Sequence, residues 1–396
     1  MTEVNHPVVT TRSGQVMGKA KDGAWLFCGI PYAAPPVGER RFKRAASIDS
    51  WDDVRDATRF SPAAPQVPSG GMTDSAPVRW SEDCLYLNIC TPGVDASKRP
   101  VMVWIHGGGY RTGQGAIPWY NGNSFACQGD IVVVSINYRL GALGFTDLFL
   151  ETLEVENADD LLTLDVAAIL DAQPTVDQKF GKYLTAVQAF YPVVGNEVLP
   201  LSPLAAIESG VGKDIQVLTG SNKDESTLFI MEEISAKRLE RQAEGYGDVK
   251  LIERYQALDP EAGMTDLSIR MATDFMFKIP AIRLAEIRAA QGAATWLYQF
   301  DWESRAGNLK ATHALEIPFC FNALNAPGVD MFIGKGELPQ SVADEMHAVW
   351  TGFIRGEAPP WPAYNIETRP TWHFDTASAL IEDGDEALRA VWQGLR

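Results

Sequence analysis

Two uninterrupted apolar runs constrain the fold of this chain most. They read VMVWIH at 101–106 and IVVVSIN at 131–137, and both are rich in β-branched residues. Runs of this kind suit strands buried on both faces, as in a parallel sheet. Similar runs recur at 214–220 and 294–300, and long helical patterns lie between them, ESTLFIMEEISAKRLERQAEGY and MATDFMFKIPAIRLAEIRAAQG. Strands that alternate with helices predict an α/β protein with a central, mostly parallel sheet.

The net charge of the chain limits the classes of partner that it is expected to bind. The 396 residues carry a formal net charge of −17. Nucleic-acid binding requires a basic face, and anionic membranes attract basic segments, so we expect neither partner. The length is compatible with one large α/β unit, and we expect a single domain over 1–396. The oligomeric state is left open.

Cysteine usage and the first residues of the chain bear on its compartment. The five cysteines are scattered and show no metal-ligand spacing, which is typical of a reducing compartment. The start, MTEVNHPVVTTRSG, has neither a basic region nor an apolar region of a signal peptide. No apolar run approaches the length that spans a membrane. These features predict a cytoplasmic protein.

A glycine motif follows the first buried run. His106 is followed by three consecutive glycines, 107–109. Glycines let the backbone turn so that several N–H groups point at one place, where they can stabilise the oxyanion of an acyl-transfer reaction. A plain glycine turn after a strand is the alternative, and the motif alone does not decide between them.

Long stretches of the chain resemble the type-B carboxylesterase/cholinesterase family. The N-terminal block contains CGIPYAAPPVGERRFKRA, SEDCLYLNI, PVMVWIHGGGY and DIVVVSINYRLGALGF. The C-terminal block contains FYPVVGNEVLP, LTGSNKDEST, ATHALEIPFCF and WPAYNIETRPTWHFD. The resemblance implies an α/β-hydrolase fold, a small-molecule ester substrate, and catalysis through an acyl-enzyme without cofactor or metal. It also implies that Gly108 and Gly109 supply the oxyanion-hole amides.

The same resemblance assigns two further catalytic residues. Glu225, in the motif Asn222-Lys223-Asp224-Glu225, is the expected triad acid, and His313 in THALEIPF is the expected base. Without the matched context, an acidic helix start and a packing or surface histidine would be the commoner interpretations. We expect His106 to position the glycine turn. The other histidines are expected to be structural or exposed: His6, His347 and His373.

The nucleophile of the family is missing from its usual motif. The serine should lie in a GxSxG sequence between a strand and a helix, and this chain contains no GxSxG. The nearest sequence surrounds Ser124, which precedes a strand and is expected to be a helix N-cap. Ser221 and Ser226 flank the acid motif, and neither lies in such an elbow. We expect caps and loop contacts for all three.

The segment in which the strand, GxSxG turn and helix of the nucleophile should occur predicts an internal deletion. After GALGFTDL (141–148) the chain continues with FLETLEVENADDLLTLDVAAILDAQ, a polar and helical stretch without a buried strand. The junction is expected near 147–157, with at least about 60 residues absent at about 30 residues per βαβ unit. Two central strands and the nucleophile helix would be lost. The strands at 101–106 and 214–220 would then each expose an edge, giving a poorly stable chain.

Three functional interpretations follow. The first is a carboxylic-ester hydrolase by descent, whose own activity is doubtful without the serine. The second is a non-catalytic binding or scaffold protein, or the product of a decayed gene. The third is catalysis by a substitute nucleophile such as Ser124, which the missing elbow geometry disfavours.

Overall fold

The computed structural model describes residues 6–67, 78–145, 160–180 and 190–395. The predicted junction at 147–157 falls outside these described residues. None of the helices in them is long and apolar enough to span a bilayer.

Twelve strands form three sheets in the described residues. The strands are β1 (Val8–Thr10), β2 (Gln15–Met17), β3 (Lys19–Lys21), β4 (Ala24–Pro31), β5 (Arg55–Asp56), β6 (Tyr86–Thr91), β7 (Val101–Ile105), β8 (Val132–Ile136), β9 (Val217–Asn222), β10 (Thr295–Phe300), β11 (Pro370–Phe374) and β12 (Ala379–Glu382). The strand orders are β3-β4-β6-β8-β7, β12-β11-β10-β9 and β1-β2-β5. The first two sheets carry the predicted buried runs.

The helices lie between and around these strands. They are α1 (Asn123–Gly129), α2 (Gly141–Gly144), α3 (Val166–Phe180), α4 (Pro203–Glu208), α5 (Ala236–Gly245), α6 (Leu251–Leu258), α7 (Met264–Thr273), α8 (Ile279–Ala290), α9 (Ile317–Cys320), α10 (Asp330–Ile333), α11 (Gln340–Ile354) and α12 (Glu386–Val391). A π-helical segment, Asp274–Lys278, joins α7 to α8. The mixture of sheets and helices agrees with the predicted α/β class.

The strand pairing differs from the single, mostly parallel sheet that the sequence predicted. In the five-stranded sheet only β7 and β8 are parallel, whereas β3, β4, β6 and β8 pair antiparallel. In the four-stranded sheet β9, β10 and β11 are parallel, and β12 is antiparallel. Short connections, such as the one from β3 to β4, permit antiparallel pairing, while parallel neighbours need a longer crossover. The parallel prediction is therefore correct for β7 with β8 and for β9 to β11, and wrong for the strands at the outer sides of the two sheets.

One hydrophobic cluster joins the two larger sheets. Met102 and Trp104 from β7 pack against it, as do Leu218 from β9 and Tyr298 from β10. Its centre contains fully buried aromatic rings, including Phe125 of α1. The two sheets therefore share a core although no described hydrogen bond pairs a strand of one with a strand of the other.

The edges of the two sheets that share this core are unequal. The outer edge strand β3 carries Lys19 and Lys21, and the outer edge strand β12 carries Glu382. Charged side chains of this kind discourage pairing with other chains. The other edge strands, β7 and β9, each pair with one described neighbour and contain no charged residue.

Strand β7 also exposes an apolar face. Val101, Val103 and Ile105 alternate along it and are 58%, 55% and 64% exposed. Alternate residues of a strand point to the same side, so the three form one apolar surface. The predicted exposure of the 101–106 strand is thus present in the structure.

The helix predicted from ESTLFIMEEISAKRLERQAEGY is interrupted, and this part of the prediction was wrong. A 3₁₀ turn covers Glu225–Leu228, and α5 begins only at Ala236. The amide of Ser226 donates to Thr273 Oγ1 at 3.0 Å, and the amide of Ile234 donates to Thr265 Oγ1 at 3.0 Å. These amides bond to side chains of α7 and not to carbonyls of their own segment, so tertiary contacts override the helical pattern.

Candidate active site

The predicted acid and base lie together at the carboxyl ends of neighbouring parallel strands. Glu225 opens the 3₁₀ turn that follows β9, and its side chain is buried. Its Oε1 accepts the amide N–H of Asn222 at 2.8 Å, which holds the carboxylate beside the strand end. Its Oε2 lies 2.7 Å from Nδ1 of His313. This is the separation of a charge-assisted hydrogen bond.

The loop after β10 places His313. Its amide donates to the carbonyl of Glu225 at 3.2 Å, so backbone and side chain both bind the acid. The ring lies between two phenylalanines, Phe229 and Phe277, at centroid distances of 5.2 and 5.1 Å. The side chain remains 40% exposed, and Nε2 has no hydrogen-bond partner among the described residues. The ring is thus fixed on one side and open on the other.

The charge of the pair depends on a second carboxylate. Burial opposes protonation of His313, but the hydrogen bond and charge of Glu225, with the charge of Glu316, raise its pKa above the usual value. Burial and the charge of Glu225 raise the pKa of Glu316 to about 7. Asn222 Nδ2 donates to Glu316 Oε2 at 2.6 Å. The sequence interpretation missed Glu316 and Asn222, although Glu316 stands three residues after His313 and Asn222 three residues before Glu225.

The glycine turn has the backbone geometry that only glycine adopts readily. Gly108 and Gly109 have φ angles of 118° and 58°. A Cβ atom on Gly108 would lie 2.0 Å from the carbonyl oxygen of Thr112, so no side chain fits there. Within the described residues neither amide donates a hydrogen bond. Two unpaired N–H groups of this kind are what an oxyanion hole requires.

His106 supports this turn from behind. It is 2% exposed, and its ring stacks on Tyr138 at 4.4 Å between centroids. Nδ1 lies 2.9 Å from the carbonyl of Gly107, and the hydroxyl of Tyr138 donates to the carbonyl of His106 at 2.7 Å. Burial lowers the pKa of His106 to about 4. The ring is therefore neutral, as expected for a positioning residue.

The structure brings some of the predicted site residues together and leaves others apart. Glu225 and His313 form one unit. No described hydrogen bond or ring contact joins Gly108 or Gly109 to this pair. The remaining histidines all contact other groups: His6 with the carbonyl of Gly18 at 3.0 Å, His347 with the carbonyl of Cys320 at 2.8 Å, and His373 with Asp301 at 2.7 Å.

The three alternative serines have no contact with His313 among the described hydrogen bonds. Ser124 was expected to be an N-cap, but the helix begins at Asn123 with Gly122 as its cap, so that expectation was wrong. Its hydroxyl donates weakly, at 3.4 Å, to the carbonyl of Asn322. Ser221 is a buried residue of β9. The hydroxyl of Ser226 is buried without a partner, which differs from the expected loop contact.

Comparison with known proteins identifies the relatives of the chain. The carboxylesterase family model matches residues 5–154 and 151–380. The para-nitrobenzyl esterase of Bacillus subtilis (strain 168) is 30% identical over 489 aligned positions, covering 98% of each chain. The phenmedipham hydrolase of Pseudarthrobacter oxydans is 30% identical, covering 98% of this chain and 97% of its own.

Solved structures show the same relationship. A carboxylesterase of Geobacillus stearothermophilus superposes with a TM-score of 0.84 at 31% identity, covering 98% of this chain and all of its own. A para-nitrobenzyl (PNB) esterase superposes with a TM-score of 0.86 at 28% identity, covering 98% and 99%. These neighbours have the α/β-hydrolase fold that the sequence predicted.

Proposed function

This chain belongs to the carboxylesterase family, and on that premise we propose that it descends from ester hydrolases but forms no covalent acyl-enzyme, because it lacks the serine nucleophile. The observation that carries the proposal is the pair of Glu225 and His313, joined at 2.7 Å while Nε2 of His313 meets no serine hydroxyl among the described residues. The absence of GxSxG from the whole sequence agrees with this. The ester substrate remains a small molecule, bound without cofactor or metal.

The chemistry follows from what the pair lacks. In serine hydrolysis the imidazole takes the proton of the serine, and the carboxylate stabilises the imidazolium that forms. Without a serine on Nε2, no acyl-enzyme forms, and the base can act only on water. Removal of the nucleophile in such triads leaves only the small residual rate that oxyanion stabilisation and binding provide. We therefore expect turnover of activated esters to be very low.

Three further observations support an internal deletion as the reason for the missing serine. The two family matches meet at residues 151–154, inside the predicted junction of 147–157. The alignment with the Bacillus esterase runs over 489 positions, whereas this chain has 396 residues, so the relative contains positions without a counterpart here. Among the described residues β7 and β9 each pair on one side only, and two lost strands would pair on the other sides.

Covalent labelling with a fluorophosphonate tests the proposal. The purified chain is treated beside the para-nitrobenzyl esterase of Bacillus subtilis, and adducts are read by intact mass and peptide mapping. We expect no stoichiometric adduct on this chain and one on the relative. One mapped adduct that disappears in His313→Ala would show an activated serine and overturn the proposal.

A second function, that of a non-catalytic binding protein, is favoured by one observation. The apolar face of β7 is open to a partner in the described structure. Stoichiometric co-purification of one specific protein, lost in Val103→Lys, would support this function. Heterogeneous association that is also lost in that variant would instead indicate simple exposure of the edge.

We also propose one domain over 1–396 and a cytoplasmic setting. The core shared by the two larger sheets and the five free cysteines support these proposals. Two separate calorimetric transitions would contradict the single domain. Fractionation of cells that express the chain tests the compartment.

A further inference from the structure

A cavity of about 520 Å³ lies on one face of the five-stranded sheet, away from the Glu225–His313 pair. Side chains of β4, β6 and β8 line it, among them Leu26, Asn88 and Val133. The segment 115–124 and the loop 322–327 form the other walls. This volume falls within the usual range of small-molecule sites.

Buried polar groups in this cavity retain unused hydrogen-bonding capacity. Asn88 is 6% exposed, and its Oδ1 accepts the amide of Gly29 at 3.0 Å. Its Nδ2 donates to Ser135 Oγ at 3.1 Å. A carboxamide carries two N–H donors, so one donor of Asn88 has no described acceptor. A group buried this deeply is stabilised by a further partner.

The wall opposite the sheet adds further polar atoms. Asn121 Oδ1 accepts the amide of Asn123 at 3.2 Å, whereas its Nδ2 has no described partner. Ser124 Oγ donates only the long contact to the carbonyl of Asn322 and accepts no described hydrogen bond. These groups line the same cavity as Asn88 and comprise carboxamides and a hydroxyl.

The cavity is lined by one side chain of each charge. Lys21 and Asp22 both line it, and both are exposed. One positive and one negative side chain favour neither an anionic nor a cationic ligand. The thiol of Cys90 also lines the cavity, and burial raises its pKa to about 12, so it remains neutral. An apolar surface is available on Phe60, which is 44% exposed.

We propose that this cavity binds a neutral, hydroxyl-rich ring of monosaccharide to disaccharide size. Hydroxyl groups both donate and accept, so they match the unused donors of Asn88 and Asn121 and the acceptor capacity of Ser124. The C–H face of such a ring packs on the exposed ring of Phe60. The site is separate from the ester chemistry, because neither Glu225 nor His313 lines it.

Saturation-transfer difference NMR with D-glucose and maltose as probes tests this site in the full chain. We expect saturation transfer to at least one probe and a dissociation constant about tenfold higher in Asn121→Ala. We also expect loss of transfer when Ala116→Phe fills the cavity. The matched control is Asn308→Ala, an exposed carboxamide that does not line the cavity. Melting temperatures verify that each variant is folded.

The outcomes separate the site from the rest of the protein. Transfer that is weakened in Asn121→Ala and intact in Asn308→Ala supports the proposal, whatever the labelling experiment gives. Absence of transfer with both probes overturns it. Transfer that is equal in the wild-type chain and Asn121→Ala also overturns it, because the sugar then binds elsewhere. Should Ala116→Phe fail to fold, Asn121→Ala still decides.

Discussion

Placing a lysine on the apolar face of the edge strand β7 is expected to reduce self-association of the chain. Val103 lies at the centre of the apolar face that Val101 and Ile105 complete, and each of these residues leaves more than half of its surface in water. Among the described residues the strand pairs on one side only, with β8, and it contains no charged residue. Two copies can therefore pack these apolar faces against each other about a two-fold axis, which buries Val103 of both copies.

The magnitude follows from the exposed fractions. Full burial of a valine contributes about 1.5–3 kcal/mol, so covering the exposed half of Val103 contributes about 1 kcal/mol in each copy. Val103→Lys removes this twice, and two lysines brought close repel each other by about 1 kcal/mol. The total of about 3 kcal/mol corresponds to an association constant about 100-fold lower.

Sedimentation velocity over a concentration series measures this effect. We expect the wild-type chain to associate with increasing concentration and Val103→Lys to remain smaller. The matched control is Val8→Lys, because Val8 is 49% exposed but lies in β1 of another sheet. A wild-type chain that stays monomeric at every concentration, or an equal effect of both lysines, would refute the reasoning.

Three further predictions concern the site and the core. Glu225→Gln removes the charge that raises the pKa of His313, so an NMR titration of the imidazole should show a lower pKa. Because that pKa is raised in the folded chain, the pair stabilises the fold below about pH 6.5 and loses this contribution as pH rises through the folded pKa. Chemical denaturation at several pH values should therefore show that the free energy of unfolding depends less on pH in the variant than in the wild-type chain. Arg41 binds the carboxylate of Glu82 through two hydrogen bonds of 2.6 Å. Arg41→Met leaves this carboxylate without its cation, so it should lower the free energy of unfolding by about 3–5 kcal/mol in urea titration. Phe125→Ala, at a fully buried ring, should lower it by about 3–5 kcal/mol in the same assay.

Each of these variants has a control within the chain. Glu303→Gln breaks only an exposed contact with Lys223 and should leave the titration of the histidine unchanged. Arg44→Met breaks a pair with Glu197 that is 71% and 81% exposed, so it should change stability by less than about 1 kcal/mol. Phe60→Ala, at a partly exposed ring, should cost less than the substitution at the buried ring. Equal effects of test and control variants would contradict the assignments.

The apolar runs predicted the central strands well because their signal is local. VMVWIH and IVVVSIN form β7 and β8, and the two pair in parallel as expected. The antiparallel half of the same sheet was not predicted, because strand order depends on contacts between distant parts of the chain. The interruption before α5 was missed for a similar reason, since its amides bond to threonines of α7.

The candidate site shows the same division. Glu225 and His313 are 88 residues apart. No spacing rule connects them, and the resemblance to a known family identified them as a pair. The link of Asn222 to Glu316 depends on the loop after β10, so it appears only in three dimensions. The sequence did predict the backbone of the glycine turn, because Gly108 and Gly109 adopt angles that other residues avoid.

The contrast between charged outer edges and uncharged inner edges has a practical consequence. Lys19, Lys21 and Glu382 discourage a new strand at the outer edges of the two sheets, whereas β7 and β9 each have one edge without a partner in the part of the chain that the structure describes. We therefore expect a separately produced fragment of a relative, carrying its own strands and serine elbow, to pair with β7 and β9 and not with the charged outer edges. On this expectation the chain would be the larger part of a split hydrolase, with ester turnover as the signal of reassembly.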